Sequence, residues 1–338
     1  MSDLRLAEIF CDGMVLQANK PIRLYGTGSG KIVVSFLNET KEYISDSDEW
    51  CFEISERQYG GPYSMELCID GVKIIINNIM IGEVLLCAGQ SNMELQLKET
   101  NTSKNLYDDD NLLRIYSAET VYNKESGIND RWVMASKQNL ENWSALGYLI
   151  GRLYRQKYDC AVGIALCACG SSIIQSWINK KYYIGSKLEL PIEQLHRNYK
   201  AEGGYWNEPG YLYDNALKKY MPYSFSAAVW YQGESNAGRI EGAIFSKLIS
   251  MFCDSLRKDD KDEELPICIV QIADCFIKEF YIDETAWKMI QEEQKKAVET
   301  IKIACLVESR DICENDNIHP KTKTKLAERI FANLEKIK

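Results

Sequence analysis

Hydrophobic and polar residues alternate in short runs through the first 80 positions of the chain. Five such runs stand out, at 22–25, 32–36, 50–54, 64–69 and 72–76. Turn-forming residues separate them, and Asp70-Gly71 is typical of a tight turn in a hairpin. Alternation with a period of two predicts strands with one buried face. We therefore expect residues 1–79 to form a small antiparallel, β-sandwich-like module.

The pattern changes after residue 80, where continuous apolar runs alternate with stretches of helical periodicity. The predicted strands are 81–88, 112–117, 161–168, 225–231, 266–273 and 302–307. The predicted helices are 143–157, 236–256, 284–300 and 321–336. Strands that alternate with helices form largely parallel sheets flanked by helices. Residues 80–338 are thus predicted to form an α/β domain, with a polar loop over 98–110.

Composition excludes some classes of partner. The 338 residues carry a net charge of −9, so no basic surplus is present to hold nucleic acid or an anionic membrane. The chain has no apolar stretch of membrane-spanning length and begins without a charged-then-apolar leader, which predicts a cytoplasmic protein. Twelve cysteines lie scattered through apolar segments without a Cys-x-x-Cys pair. We interpret them as buried, reduced thiols rather than as disulfides or a metal site.

One serine follows a predicted buried strand directly, in the segment Gly89-Gln90-Ser91-Asn92-Met93. Open α/β sheets place their chemistry at the carboxyl ends of strands, and a serine hydroxyl needs a base to become a nucleophile. The chain has only two histidines, His196 and His319. His319 is preceded by Asp316, whose carboxylate is at a spacing suited to orient the imidazole. We expect Ser91, His319 and Asp316 to form a catalytic triad, although Ser91 lacks a Gly-x-Ser-x-Gly elbow.

A tetrahedral intermediate also needs donors for its oxyanion. The candidates are the backbone N–H groups of Ser91 and Gly170 and the side-chain amide of Asn236. Each has a structural alternative: Ser91 and Asn236 suit helix caps, and Gly170 suits a turn. His319 before a proline likewise suits the start of a helix. The catalytic interpretation is favoured because all of these residues follow a predicted strand or precede a helix.

Three segments give the chain a family resemblance: 89–93, Trp230-Tyr-Gln-Gly-Glu-Ser-Asn236 and Asp316-x-x-His319-Pro320. Together they resemble the blocks of the sialate O-acetylesterase family within the SGNH (GDSL-like) hydrolases. The resemblance extends to the β module, where 10–17 and 60–63 are also similar. It implies a flavodoxin-like SGNH three-layer sandwich with signature residues Ser91, Gly170, Asn236 and His319. It further implies hydrolysis of acetyl esters on sugars, with no cofactor and no metal.

Within this family pattern some roles stay open. Glu234 competes with Asp316 as the partner of His319, or it anchors its loop; we favour Asp316 because of its spacing. The candidate substrate contacts are Gln90, Trp177, Trp206, Tyr231 and Gln232. The favoured function is a serine esterase that removes O-acetyl groups from sialic acids through an acetyl-serine intermediate. The alternatives are an acetylxylan-type esterase acting on neutral oligosaccharides and a non-catalytic glycan-binding protein.

Overall fold

The computed structural model describes residues 4–120, 129–197, 200, 204–275 and 283–338. Seven strands precede the long central strand: β1 (Arg5–Leu6), β2 (Val15–Gln17), β3 (Ile22–Thr27), β4 (Gly30–Phe36), β5 (Glu39–Ser45), β6 (Glu49–Ile54) and β7 (Gly60–Ile69). The central strand is β8 (Val72–Gly89), and six described strands follow it: β9 (Asp110–Ser117), β10 (Trp132–Ala135), β11 (Ala161–Ala168), β12 (Ala227–Tyr231), β13 (Ile267–Val270) and β14 (Ala304–Val307).

The helices lie almost entirely in the second part of the chain. They are α1 (Ser91–Glu94), α2 (Ala145–Tyr158), α3 (Ile174–Trp177), α4 (Lys180–Tyr183), α5 (Tyr211–Asn215), α6 (Arg239–Gly242), α7 (Phe245–Asp260), α8 (Glu284–Thr300) and α9 (Thr324–Ile337). The helix predicted over 236–256 is therefore two helices, α6 and α7. None of the helices in the described ranges is long and apolar enough to cross a membrane.

The N-terminal strands pair as the alternating pattern predicts. Strands β1, β3 and β6 form one antiparallel sheet, while β4, β5 and β7 pair antiparallel and continue onto β8. Asp70 and Gly71 both have positive φ at the β7–β8 turn, as a primed hairpin turn requires. Because β8 runs unbroken from Val72 to Gly89, it crosses the predicted boundary after residue 79, so the division into two domains stays a prediction.

The second half of β8 lies at the centre of a parallel sheet. The five strands β11-β8-β12-β13-β14 stand in the order expected of a flavodoxin-like sheet, numbered 2-1-3-4-5 along the chain. Strands β9 and β10 extend the sheet beyond β11, and β10 is antiparallel to β9. The predicted α/β class with a flavodoxin-like sandwich is thus confirmed. β8 is the strand at which the order reverses, which is where such sheets bind ligands.

Both faces of this sheet are buried. Val84, Leu86 and Ala88 pack into one apolar cluster, and Leu85 and Cys87 pack into the other, on the opposite face. The first cluster continues into the core of the β module. The module therefore supports the sheet from the N-terminal half of β8, at the end of that strand away from Ser91. All twelve cysteines are free thiols.

Candidate active site

Ser91 begins helix α1 immediately after the carboxyl end of β8. The turn between them depends on Gly89, whose φ is +143° and where a Cβ would lie 2.1 Å from the carbonyl oxygen of Tyr231 on the neighbouring strand. Only glycine allows the two backbones to approach this closely. The Gln90 amide then donates to the same carbonyl oxygen at 3.0 Å. This local geometry fixes Ser91 at the edge of the sheet.

The predicted nucleophile and base come together. Nε2 of His319 lies 2.8 Å from Oγ of Ser91, although 228 positions separate the two residues. Asn317 Oδ1 accepts the backbone N–H of His319 at 2.9 Å and so shapes the loop that carries the ring. Burial lowers the pKa of His319 below 6.5, and the positive charge of Lys323 lowers it further. The imidazole is therefore neutral at neutral pH and able to accept the serine proton.

The two acidic candidates lie elsewhere. Asp316 is exposed, and within the described residues its carboxylate makes no hydrogen bond to the ring of His319. The triad hydrogen bond is thus not formed between these described residues; in the intervening turn, the Asn317 side chain accepts the backbone N–H of His319. Glu234 is buried and accepts from Asn92 Nδ2 at 2.6 Å, which matches the anchoring alternative rather than a contact with the imidazole. The role of Asp316 stays a prediction.

A polar network that the sequence did not indicate holds the histidine loop against the serine loop. Asn92 Nδ2 donates to Glu234 Oε1 and, at 2.9 Å, to the carbonyl oxygen of Ile318. Lys323 is completely buried, and its Nζ donates to Asn92 Oδ1 at 2.8 Å. Burial lowers the pKa of Lys323 to about 8 and raises the pKa of Glu234. In the sequence, only the position of Lys323 four residues after His319 indicates that it could belong to the site.

The candidate oxyanion donors are placed differently from one another. The Ser91 amide, in the first turn of α1, has no partner within its own helix and lies beside the reacting hydroxyl. The Gly170 amide donates to Glu94 Oε2 at 3.0 Å. Asn236 is fully buried, and its Nδ2 already donates to Gln175 and Glu241. The structure therefore brings Gly170 to Ser91 but commits the side chain of Asn236 to the interior, and its oxyanion role stays a prediction.

Most of the candidate substrate contacts are interior residues. Trp177 and Tyr231 have no exposed surface, so neither ring offers a face to a sugar. Gln232 is also fully buried and donates to Ser172 and Asn236. Gln90 accepts from the backbone of the loop at 233–235. Trp206 is partly exposed and stands edge-on to Tyr205. None of these five side chains lines the cavity beside the serine.

A cavity of about 550 Å³ opens over the serine and the histidine. Its wall includes Ser91, Glu94, Lys98, Glu99, Gly170 and His319. No described residue of the β module lines it. Within the described part of the chain, no three His, Cys, Asp or Glu side chains are grouped to hold a metal ion. The site thus offers a serine, a neutral base and backbone donors facing an open cavity.

This arrangement, a serine beside a histidine at the reversal point of a flavodoxin-like sheet, is typical of the SGNH-type hydrolases. Comparison with known proteins gives the family. The sequence model of the family "Carbohydrate esterase, sialic acid-specific acetylesterase" matches residues 82–333. The chain belongs to this family, and it is therefore a carboxylic ester hydrolase that acts on acetylated carbohydrates.

Individual relatives agree with this assignment. The chain is 20% identical to mouse sialate O-acetylesterase, with 96% of the chain and 72% of the relative covered. It is 21% identical to the human sialate O-acetylesterase, with 96% and 69% covered. Among solved structures, a carbohydrate acetylesterase from Xanthomonas citri superposes with a TM-score of 0.81 at 23% identity, with 97% of this chain and 74% of that one covered. The last similarity supports the fold.

Proposed function

We propose that the protein removes O-acetyl groups from sialic acids through an acetyl-enzyme formed on Ser91. The observation that carries the proposal is the 2.8 Å contact between Ser91 Oγ and His319 Nε2 at the wall of the cavity. A neutral imidazole at this distance can take the hydroxyl proton as the oxygen attacks. The family assignment supports an acetyl ester as the substrate.

The reaction follows from the positions of the groups. His319 accepts the proton of Ser91 while Oγ adds to the acetyl carbonyl carbon, and the backbone amides of Ser91 and Gly170 stabilise the oxyanion. The imidazolium then protonates the departing sugar oxygen, which leaves acetyl-Ser91. Water loses a proton to the same ring, adds to the acetyl group, and releases acetate as the serine recovers its proton. No step requires a cofactor.

Two observations favour sialic acid as the sugar of the substrate: the identity of the relatives and the charge of Lys98. The named relatives are sialate O-acetylesterases. The Lys98 ammonium lines the cavity and donates to Asn142 Oδ1 at 2.9 Å, so a cation is available near the rim for the carboxylate of a sialic acid. A neutral acetylated xylo-oligosaccharide has no carboxylate to form an ion pair with Lys98. Acetate release from O-acetylated sialic acids and from acetylated xylo-oligosaccharides, compared at equal concentration, decides between the two substrates.

The test of the mechanism is Ser91→Ala. We expect acetate release from a small acetyl ester to fall by at least about 10⁴-fold, as it does when a hydrolase loses its nucleophile. Ser250→Ala, on the solvent side of α7, is the matched control. The wild type should also gain the mass of one acetyl group when it is quenched during turnover, and Ser91→Ala should not. Retained turnover in Ser91→Ala would reject the proposal, and an inactive wild type would favour the glycan-binding alternative.

We also propose that the protein works in the cytoplasm, without nucleic acid or membrane partners. The twelve free thiols support a reducing compartment. Detection of the protein in cell fractions, with the thiols titrated before and after denaturation, tests this. Recovery from the extracellular fraction with oxidised thiols would overturn it.

A further inference from the structure

Glu94 stands three residues after Ser91 on α1, so the two side chains share one face of the helix and the same cavity. Its Oε2 accepts the Gly170 N–H at 3.0 Å. Its Oε1 is removed from solvent and makes no hydrogen bond to any described residue. One oxygen of this carboxyl group thus accepts a hydrogen bond from a backbone amide while the other has no partner. This is unusual in a cavity wall, since buried polar atoms are normally paired.

This contact conflicts with the proposed function, on which the present inference depends. There the Gly170 amide stabilises the oxyanion, yet its single hydrogen is already donated to Glu94. The acetyl oxygen must therefore replace the carboxyl oxygen on this amide. An ionised carboxylate accepts about twice as strongly as a neutral carboxyl, so it is the harder of the two to displace. Its charge would also repel the oxyanion that forms beside it.

The surroundings determine which form is present. Burial is the main cause that raises the pKa of Glu94 to about 7; the Gly170 hydrogen bond opposes this shift, and the nearby negative charge of Glu99 adds to it. The other titratable side chains of the described cavity wall are Lys98, which is bonded to Asn142, and His319. Both forms of Glu94 are therefore populated near neutral pH.

We propose that Glu94 is a reversible cap on the oxyanion donor: as a neutral carboxyl it yields the Gly170 amide to the substrate, and as a carboxylate it retains it. Glu94 acts through Gly170 and is thus a positioning residue. The consequence is a second limb in the pH profile. Activity rises as His319 loses its proton and falls again as Glu94 loses its own.

The experiment is the pH profile of kcat/KM from 5 to 9, with a small acetyl ester and direct measurement of acetate. In the wild type, kcat/KM should fall by about tenfold for each pH unit above about 7. In Glu94→Gln, which mimics the neutral carboxyl, the alkaline fall should disappear while the acid limb stays. Glu94→Ala, which frees the amide, should also lack the alkaline fall and serves if Glu94→Gln folds poorly. Glu99→Gln, a second carboxylate in the same wall, should keep both limbs.

Two results would overturn the inference. One is an alkaline fall that persists in both Glu94 variants. The other is a loss of kcat/KM that is equal at every pH in both, because a merely structural role changes the height of the profile and not its shape. If instead the proposed function is wrong, the wild type will show no acetate release that depends on Ser91, which distinguishes that outcome from the two above.

Discussion

Replacement of Asn92 by alanine tests the network that joins the serine loop to the histidine loop. The Asn92 side chain makes three hydrogen bonds, buried ones with Glu234 and Lys323 and a partly buried one with the carbonyl of Ile318. Asn92→Ala removes all three and leaves a buried ammonium and a buried carboxyl without this partner. Because Ile318 precedes His319, the change also releases the loop that holds the base.

The expected loss of stability follows from these bonds. A hydrogen bond to a charged group contributes roughly 1.5–3 kcal/mol and a neutral one about 1 kcal/mol, so the three sum to roughly 4–7 kcal/mol. Lys323 has a pKa of about 8, so it can lose its charge at pH 7 for about 1.4 kcal/mol, and the pKa of Glu234 is already raised. Such neutralisation limits the loss to about 3–5 kcal/mol. That is a large share of the roughly 5–15 kcal/mol typical of a folded protein.

Urea denaturation at pH 7 and 25 °C measures this loss. The matched control is Asn101→Ala, because Asn101 is exposed and bonds to Thr322 Oγ1 at 3.2 Å on the same segment; we expect that variant to lose less than about 1 kcal/mol. The kcat/KM of Asn92→Ala should fall by about 100-fold, since a displacement of about 1 Å at a catalytic group has that effect. Equal stability in the two variants, or full activity in Asn92→Ala, would refute the reasoning.

Three further predictions follow. Lys323→Met removes the cation that lowers the pKa of His319, so the acid limb of kcat/KM should move to higher pH; an unmoved limb would show that burial alone sets this pKa. Gly89→Ala should cost more than about 3 kcal/mol in thermal unfolding because of its contact with the neighbouring strand, whereas Gly71→Ala, which also has a positive φ (+84°) but open space around it, should cost about 1–2 kcal/mol. The pKa of Glu94 rises from 4.5 to about 7 on folding, so this group's contribution to stability falls as pH rises through that window. Glu94→Gln lacks that decline, so its free energy of unfolding should rise by about 1–2 kcal/mol relative to that of the wild type between pH 4.5 and 7. Urea titrations at several pH values measure this difference, and a difference that does not change with pH would contradict the pKa shift.

The pattern of the chain predicted the parallel strands well because both faces of that sheet are buried, which leaves continuous apolar runs. It missed β5 (Glu39–Ser45), which is mostly exposed and reads Glu-Thr-Lys-Glu-Tyr-Ile-Ser. An exposed strand keeps polar residues on both faces, so no alternation marks it. It also missed β10, whose four residues are too few to show a period.

For the site, the sequence predicted which segments meet but not which way each side chain points. Ser91 and His319 were predictable because parallel strands bring their carboxyl ends to one edge of the sheet. Asn236 lies at the same edge, yet its amide turns inward to Gln175 and Glu241. The burial of Lys323 could not be predicted for another reason: lysine is almost never fully buried, so a lysine at the start of a helix predicts a solvated side chain.

Desolvation is the main cause of the pKa shifts of the two titratable groups nearest the serine, His319 and Glu94. Burial lowers the pKa of His319 below 6.5 and raises that of Glu94 to about 7, so in each case it favours the neutral form. Just below pH 7 the Ser91 hydroxyl and the His319 imidazole are therefore uncharged, and a substantial part of Glu94 is protonated. The oxyanion and the imidazolium of the reaction are then new charges on groups that carry none before the reaction. Under those conditions fixed backbone dipoles stabilise the transition state more than the ground state, which explains why access to the Gly170 amide should control the rate.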